Sequence, residues 1–229
     1  MGHSVFEKCT SLSSAILSNQ LQNIDARTFY ECKRLESIII PDGIEKISGD
    51  SFYGCDRLTK IEFHCKEIGS KWFSKNTIIK TVVIGDEVTT LHEFAFLDCN
   101  NLMTVTIGKN IELIEYGAFE GCRGIQDVYC YKENVPLIYS AVFHRSNIGN
   151  ATLHVPSTAL DAYKTSEQWK EFGRIIPLTD DETSIYQLQV NAYTLDVNNI
   201  WYTLGGKKLD GKPMRQGIYI HNQQKVVIR

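Results

Sequence analysis

The sequence predicts an α/β solenoid, mostly β, of about seven 23-residue coils, with a short helical C-terminal cap and a small all-β module after it. Three observations carry this prediction. A phenylalanine recurs at Phe6, Phe29, Phe52, Phe73, Phe96, Phe119 and Phe143, in steps of 23, 23, 21, 23, 23 and 24 residues. Three residues after it stands Cys9, Cys32, Cys55, Cys99 or Cys122, with Asn76 and Ser146 in the other two coils. Between these turns an alternating apolar segment returns in the same register. Self-similarity at a fixed period in the twenties marks a solenoid, in which each coil buries its apolar side only against its neighbours.

Each coil opens on an apolar residue (Leu12, Leu35, Leu58, Ile79, Leu102 and Ile125). Two more follow three and five positions on: Ile38 and Ile40, Ile61 and Phe63, Val82 and Ile84, Val105 and Ile107. Alternation of this kind is a short strand with one face inward. Pro41, Gly85 and Gly108 then stop the strand. A second apolar pair, such as Ile44 and Ile47 or Ile111 and Ile114, closes the coil before the next Phe-x-x-Cys turn. Strands of successive coils must pair in parallel, giving a curved sheet on one side. Coil 58–73 is two residues short and coil 125–143 carries one extra.

The cysteines in register meet a packing requirement for a small, easily buried side chain, and free Cys buries well. Stacked coils also bring equivalent Cα atoms to about 5 Å, within reach of a disulfide. Buried thiols are the favoured reading, and bridging stays open. Cys65 and Cys130 fall outside the register, and no C-x-x-C exists to suggest zinc.

The turn phrases GDSFYGCDRL, HEFAFLDCNNLMTVTI and IEYGAFEGCRGI resemble the BspA-like leucine-rich repeats, the Treponema-type or fifth class. The resemblance covers residues 1 to about 178 and implies a right-handed leucine-rich-repeat solenoid. It also implies a cell-surface or secreted bacterial protein, adhesin-like and not an enzyme. Residues 151–178 break the repeat: Leu153 and Val155 give one more strand ended by Pro156, and Ser157 can N-cap a short helix through Tyr163. Ser166 opens another, carrying Trp169 and Phe172, and these aromatics read as a lid on the last coil. Thr179–Thr183 is expected as a polar linker. Residues 184–229 are expected as a small β module with a turn at Gly205-Gly206 and a closing hairpin, GIYIHNQQKVVIR. That stretch resembles a C-terminal module of exported proteins from the Bacteroides group.

Composition excludes several classes. A net charge of -3 without a dense Lys/Arg cluster argues against nucleic acid. No apolar run approaches the roughly 18 residues of a membrane span. The start, MGHSVFEKC, has no signal-peptide pattern. The first repeat Phe is already residue 6, so the chain is expected to be a fragment that begins inside a repeat. No catalytic, cofactor-binding or metal-binding residues are predicted. The histidines are scattered, and neither a nucleophile elbow nor a phosphate-cradling loop occurs. His64 and Cys65 are adjacent but point to opposite faces of a continued strand, and Asp86-Glu87 read as solvated turn acids.

What remains is surface. The strand positions between the inward ones place Ile39, Glu62, Val83, Thr106 and Tyr129 in one outward row, with ladder spacing of about 4.8 Å. Apolar members of an exposed row can mark a contact site, although β-branched residues are favoured on any strand. A protein partner, from the host or a neighbouring bacterium, is expected on this row. A carbohydrate-binding or structural spacer module of the cell envelope is the alternative. A mixed Ile/Val/Thr/Tyr face with a single aromatic favours protein.

Overall fold

The computed structural model describes residues 2–188 and, beyond them, the strands Trp201–Thr203, Lys208–Leu209, Gly217–His221 and Gln224–Ile228. In chain order the first strands are β1 (Asn23–Ile24), β2 (Ser37–Ile40), β3 (Lys46–Ile47), β4 (Lys60–Phe63), β5 (Glu67–Ile68), β6 (Thr81–Ile84) and β7 (Thr90–Leu91). They continue as β8 (Thr104–Ile107), β9 (Leu113–Ile114), β10 (Asp127–Cys130), β11 (Leu137–Ile138), β12 (Thr152–Val155) and β13 (Arg174–Pro177).

The four-residue strands come from the alternating segment of each coil. They form one seven-stranded parallel sheet in the order β13-β12-β10-β8-β6-β4-β2. Pairing follows the repeat register, with Ile38 beside Ile61 and Val82 beside Val105, so each inward side chain meets its counterpart one coil away. The short strands come from the second apolar pair and line the opposite side. There β5, β7, β9 and β11 form a four-stranded parallel sheet, while β1 and β3 pair separately. The break between β3 and β5 lies at the 21-residue coil, which lacks the two residues that would bring β5 alongside β3. A cleft of about 550 Å³ opens there, with Ile44, Glu45, Glu67, Trp72 and His92 in its walls.

The repeat phenylalanines stack as a continuous ladder from Phe6 to Phe143, ring centroids 5.3 to 6.0 Å apart. The cysteine three residues on has a specific task. The thiols of Cys32, Cys55, Cys99 and Cys122 each donate at 3.1 Å to the carbonyl of a repeat Phe in the preceding coil. In the last coil Ser146 Oγ makes the same bond to Phe119 O at 2.6 Å. All seven cysteines are free, and all but Cys9 are buried. Between Phe and Cys the chain turns through a left-handed residue in every coil: Lys8, Glu31, Gly54, Lys75, Asp98, Gly121 and Arg145, at φ of +56° to +73°. That conformation is costly for non-glycine residues. It aims the following N–H back at the Phe carbonyl and the small side chain at the coil below.

The cap differs from expectation in its details. Ser157 does not cap a helix; it starts a 3-10 turn, Ser157–Ala159, which leads into α1 (Leu160–Thr165). Ser166 is the C-cap of α1 rather than a second N-cap, and Trp169–Glu171 form a further 3-10 turn. The aromatic lid is present. Trp169 and Phe172 meet Phe143 edge-on at 5.9 and 5.3 Å and so end the Phe ladder. Tyr163, fully buried, donates to Lys132 O at 2.9 Å. The sequence reading missed β13, which pairs with β12 and carries Pro177 at its end. A proline there removes a donor from the sheet's last edge.

The chain divides into two compact units, Met1–Leu178 and Thr179–Arg229. In the second, the stretch expected as a linker begins a helix whose described residues are 180–188. Thr179 Oγ1 accepts from the Glu182 N–H, and Glu182 Oε2 accepts from the Thr179 N–H at 2.7 Å, a reciprocal cap. The module is therefore not all-β. Its four described strands are antiparallel, with Gly217–His221 hairpinned to Gln224–Ile228. The Gly205-Gly206 turn lies outside the described residues.

Candidate interaction surface

The outward positions of the seven-stranded sheet make two columns. The second holds all five residues of the row read from the sequence. Ile39 pairs with Glu62, Glu62 with Val83, Val83 with Thr106, and Thr106 with Tyr129. The cap extends the row by two, with Tyr129 beside His154 and His154 beside Ile176. These two were missed because the reading stopped the row with the last Phe-containing coil.

Exposure is uneven along the row. Ile39 is 40% exposed, and Thr106 and Tyr129 are half-buried. Val83 is only 5% exposed and Glu62 8%, against the expectation that both face solvent. Val83 is a short side chain flanked at ladder spacing by Glu62 and Thr106. Glu62 is drawn down by partners of its own: Nε2 of His64 lies 2.8 Å from its Oε1, and Lys60 Nζ lies 3.5 Å from its Oε2. At the other end of the row the Tyr129 and His154 rings stack at 4.3 Å, and Asp127 Oδ1 lies 3.3 Å from His154 Nε2.

His64 lies at the centre of the charged groups of this region. Its Nδ1 lies 2.8 Å from Glu87 Oε2, so the imidazole is held between two carboxylates from adjacent coils. Burial alone would depress its pKa, but the bonds to Glu62 and Glu87 outweigh burial and raise it above the ordinary value. Burial likewise opposes the ionised form of Glu62, and the bonds from His64 and Lys60 overcome it, so its pKa is lowered. Glu87 is lowered first by its bond to His64. Asp86 and Glu87 are thus not solvated turn acids. Asp86 is buried and accepts the Lys109 N–H at 2.9 Å while pairing with Lys109 Nζ at 3.1 Å. On the opposite sheet His92 is bracketed in the same way, 3.1 Å from both Glu115 and Glu67.

None of this assembles a nucleophile. Burial pushes the Cys65 thiol up to about 12, which removes the thiolate that reactivity requires. Both ring nitrogens of His64 lie at 2.8 Å from carboxylate oxygens, those of Glu62 and Glu87. Among the described residues no group of three His, Cys, Asp or Glu could hold a metal ion. No described helix is long and apolar enough to cross a membrane.

Paired repeat strands, a Phe ladder and a thiol-to-carbonyl ladder in 23-residue register define a leucine-rich-repeat solenoid. The chain belongs to the BspA type leucine-rich repeat family, whose repeat region matches residues 1–126 and 64–167 in six copies. No curated protein matches it. Among solved structures it is similar to a leucine-rich-repeat protein of T. pallidum, at 29% identity and a TM-score of 0.44, over 56% of this chain and 61% of that one. It is also similar to a leucine-rich cell surface protein of Faecalibacterium prausnitzii A2-165, at 13% identity and a TM-score of 0.36, over 79% of this chain and 64% of that one. The chain thus spans less than two thirds of either structure.

Proposed function

We propose that the protein is a non-catalytic interaction module of the bacterial cell surface or secreted fraction, binding a host or neighbouring bacterial protein through the outward row of its seven-stranded sheet. The observation that carries this reading is the unbroken register of that row from Ile39 through Tyr129 to Ile176. Side chains of different chemistry stand one ladder step apart, so a partner surface can engage several at once. Surface location rests on the repeat family, and the Bacteroides-type tail on sequence resemblance alone. The Tyr129–His154 stack favours protein over sugar, because one face of the only aromatic on the predicted row is already covered.

The test is binding of candidate matrix and bacterial surface proteins by surface plasmon resonance. Tyr129→Ala combined with Ile39→Asp should abolish binding and leave the melting temperature nearly unchanged. Val83→Asp is unsuitable because it would bury a carboxylate. The control is Lys75→Glu, on the exposed turn side. Glu120 cannot serve, since it pairs with Arg145 at 3.1 Å. Loss of binding from Lys75→Glu alone would move the contact to the turns. No binding by the unaltered protein would favour the spacer role.

A further inference from the structure

The four-stranded sheet ends at β11. Its Leu137 and Tyr139 N–H groups donate to Glu112 and Ile114 of the neighbouring coil at 3.0 Å. Strand geometry turns alternate residues to opposite sides, so the N–H and C=O of Ile138 and the N–H of Ser140 face the other way. Among the described residues none of these three groups makes a backbone hydrogen bond, and no strand follows β11 in the sheet. The coil after it is the cap, which supplies β12 and β13 to the large sheet but nothing to this one.

The open edge adjoins a cavity of about 470 Å³. Ile138, Val142, Phe143 and Ile148 give it apolar walls, and the exposed carboxylates Glu167 and Glu171 of the cap also line it. Neither carboxylate has an ion-pair partner among the described residues. On the outer side of the same strand stand Leu137, 61% exposed, and Tyr139, 48% exposed, with Tyr116 of the preceding coil at 44%. Exposed apolar side chains beside an unpaired strand edge invite another strand.

We infer that the free edge of β11 is a strand-addition site for an extended segment of a partner protein that places a lysine or arginine between two apolar residues. The segment's backbone bonds to Ile138 and Ser140. Its outward apolar residues lie on Leu137 and Tyr139. Its inward basic side chain runs its alkyl stem along Val142 and Ile148 and brings its charge to Glu167 and Glu171. This surface is separate from the outward row of the large sheet, and neither depends on the other.

The probe is a fluorescein-labelled, end-blocked peptide alternating valine and lysine, titrated against the full chain and followed by fluorescence anisotropy. The peptide should bind. Methylation of alternate peptide nitrogens should abolish binding, because it deletes the backbone bonds and keeps every side chain. Glu167→Lys with Glu171→Lys, both at exposed positions, should weaken binding about tenfold and make a valine–glutamate peptide the better ligand. Undiminished binding of the methylated peptide would overturn the proposal, as would no binding at all. A dimer of the full chain, seen by sedimentation and dissolved by Tyr139→Lys, would also overturn it by showing that a second copy occupies the edge.

Discussion

The position three residues after each repeat Phe needs a small side chain that can donate to a carbonyl, and this separates the effects of two similar substitutions. Cys99→Ser keeps a donor within reach of Phe73 O, as Ser146 does toward Phe119 O, and should cost at most about 1 kcal/mol. Cys99→Ala removes the thiol bond, leaving Phe73 O with the Asn76 N–H alone, and opens a small void where the sulfur was, so it should cost about 1–3 kcal/mol. Urea midpoints at equal slope measure both, and the reverse order would mean that packing alone, without the hydrogen bond, sets the residue. The buried His64 gives a pH signature. Its folded pKa is raised, so its contribution is complete below the ordinary value of 6.5 and is lost as pH rises through the folded value. Glu62 and Glu87 are lowered, so their contribution is present above the ordinary 4.5 and is lost as pH falls through their folded values. Lys60, beside Glu62, and Asp86, beside Glu87, also act on this group. Stability from the cluster is therefore greatest between about pH 4.5 and 6.5. His64→Gln should flatten the fall in melting temperature above that window, and an unchanged slope would show that the imidazole carries no charge there. The Phe and Cys ladders were legible because each residue meets its own repeat equivalent. The His64 cluster was not, because Glu87 reaches it from the next coil and looks like a turn acid until the coils are stacked.

At the scale of elements, the strands of the large sheet could be read from alternation alone, since inward and outward residues differ at every step. β13 could not, because Ile175 and Ile176 are both half-buried and the segment ends in proline, so no alternation marks it. The cap turns were misplaced by one residue type. Ser157 has the composition of an N-cap, but the preceding Pro156 fixes the entry and the turn closes as 3-10. The break between β3 and β5 was visible as a spacing of 21 without its consequence being evident. The N–H groups of Phe6, Phe29, Phe73, Phe96 and Phe119 each donate to the next coil, as Phe29 does to Ser51 O and Phe96 to Ala118 O at 2.8 and 2.9 Å. Among the described residues Phe52 and Gly54 make no such bond. Their amides should exchange with deuterium faster than those of Phe96 and Asp98, as followed residue by residue by NMR. Equal protection would mean that the turn ladder closes across the short coil in solution.

A solenoid holds together by nearest-neighbour interfaces, so one weakened interface divides the whole array. Across the short coil, two of the three backbone ladders lapse: the short strands do not pair, and the turn bonds of Phe52 and Gly54 are missing among the described residues. The β2–β4 pairing and the Phe52–Phe73 stack at 5.6 Å remain. The coils that follow keep all three backbone ladders and end under the aromatic lid of Trp169 and Phe172. The N-terminal coils, with fewer bonds to the rest, should therefore open first. Hydrogen exchange by mass spectrometry at increasing urea should show segments within 12–52 losing protection at lower denaturant than segments within 79–122. Restoring two residues between Cys65 and Lys66, in the β4–β5 link that has three residues where the β6–β7 link has five, should bring the two transitions together if it lets β5 pair with β3. Coincident transitions in the unaltered protein, at one midpoint and one slope, would show that the large sheet alone makes the array cooperative. Two transitions that the insertion fails to merge would instead place the weak interface somewhere other than the short coil.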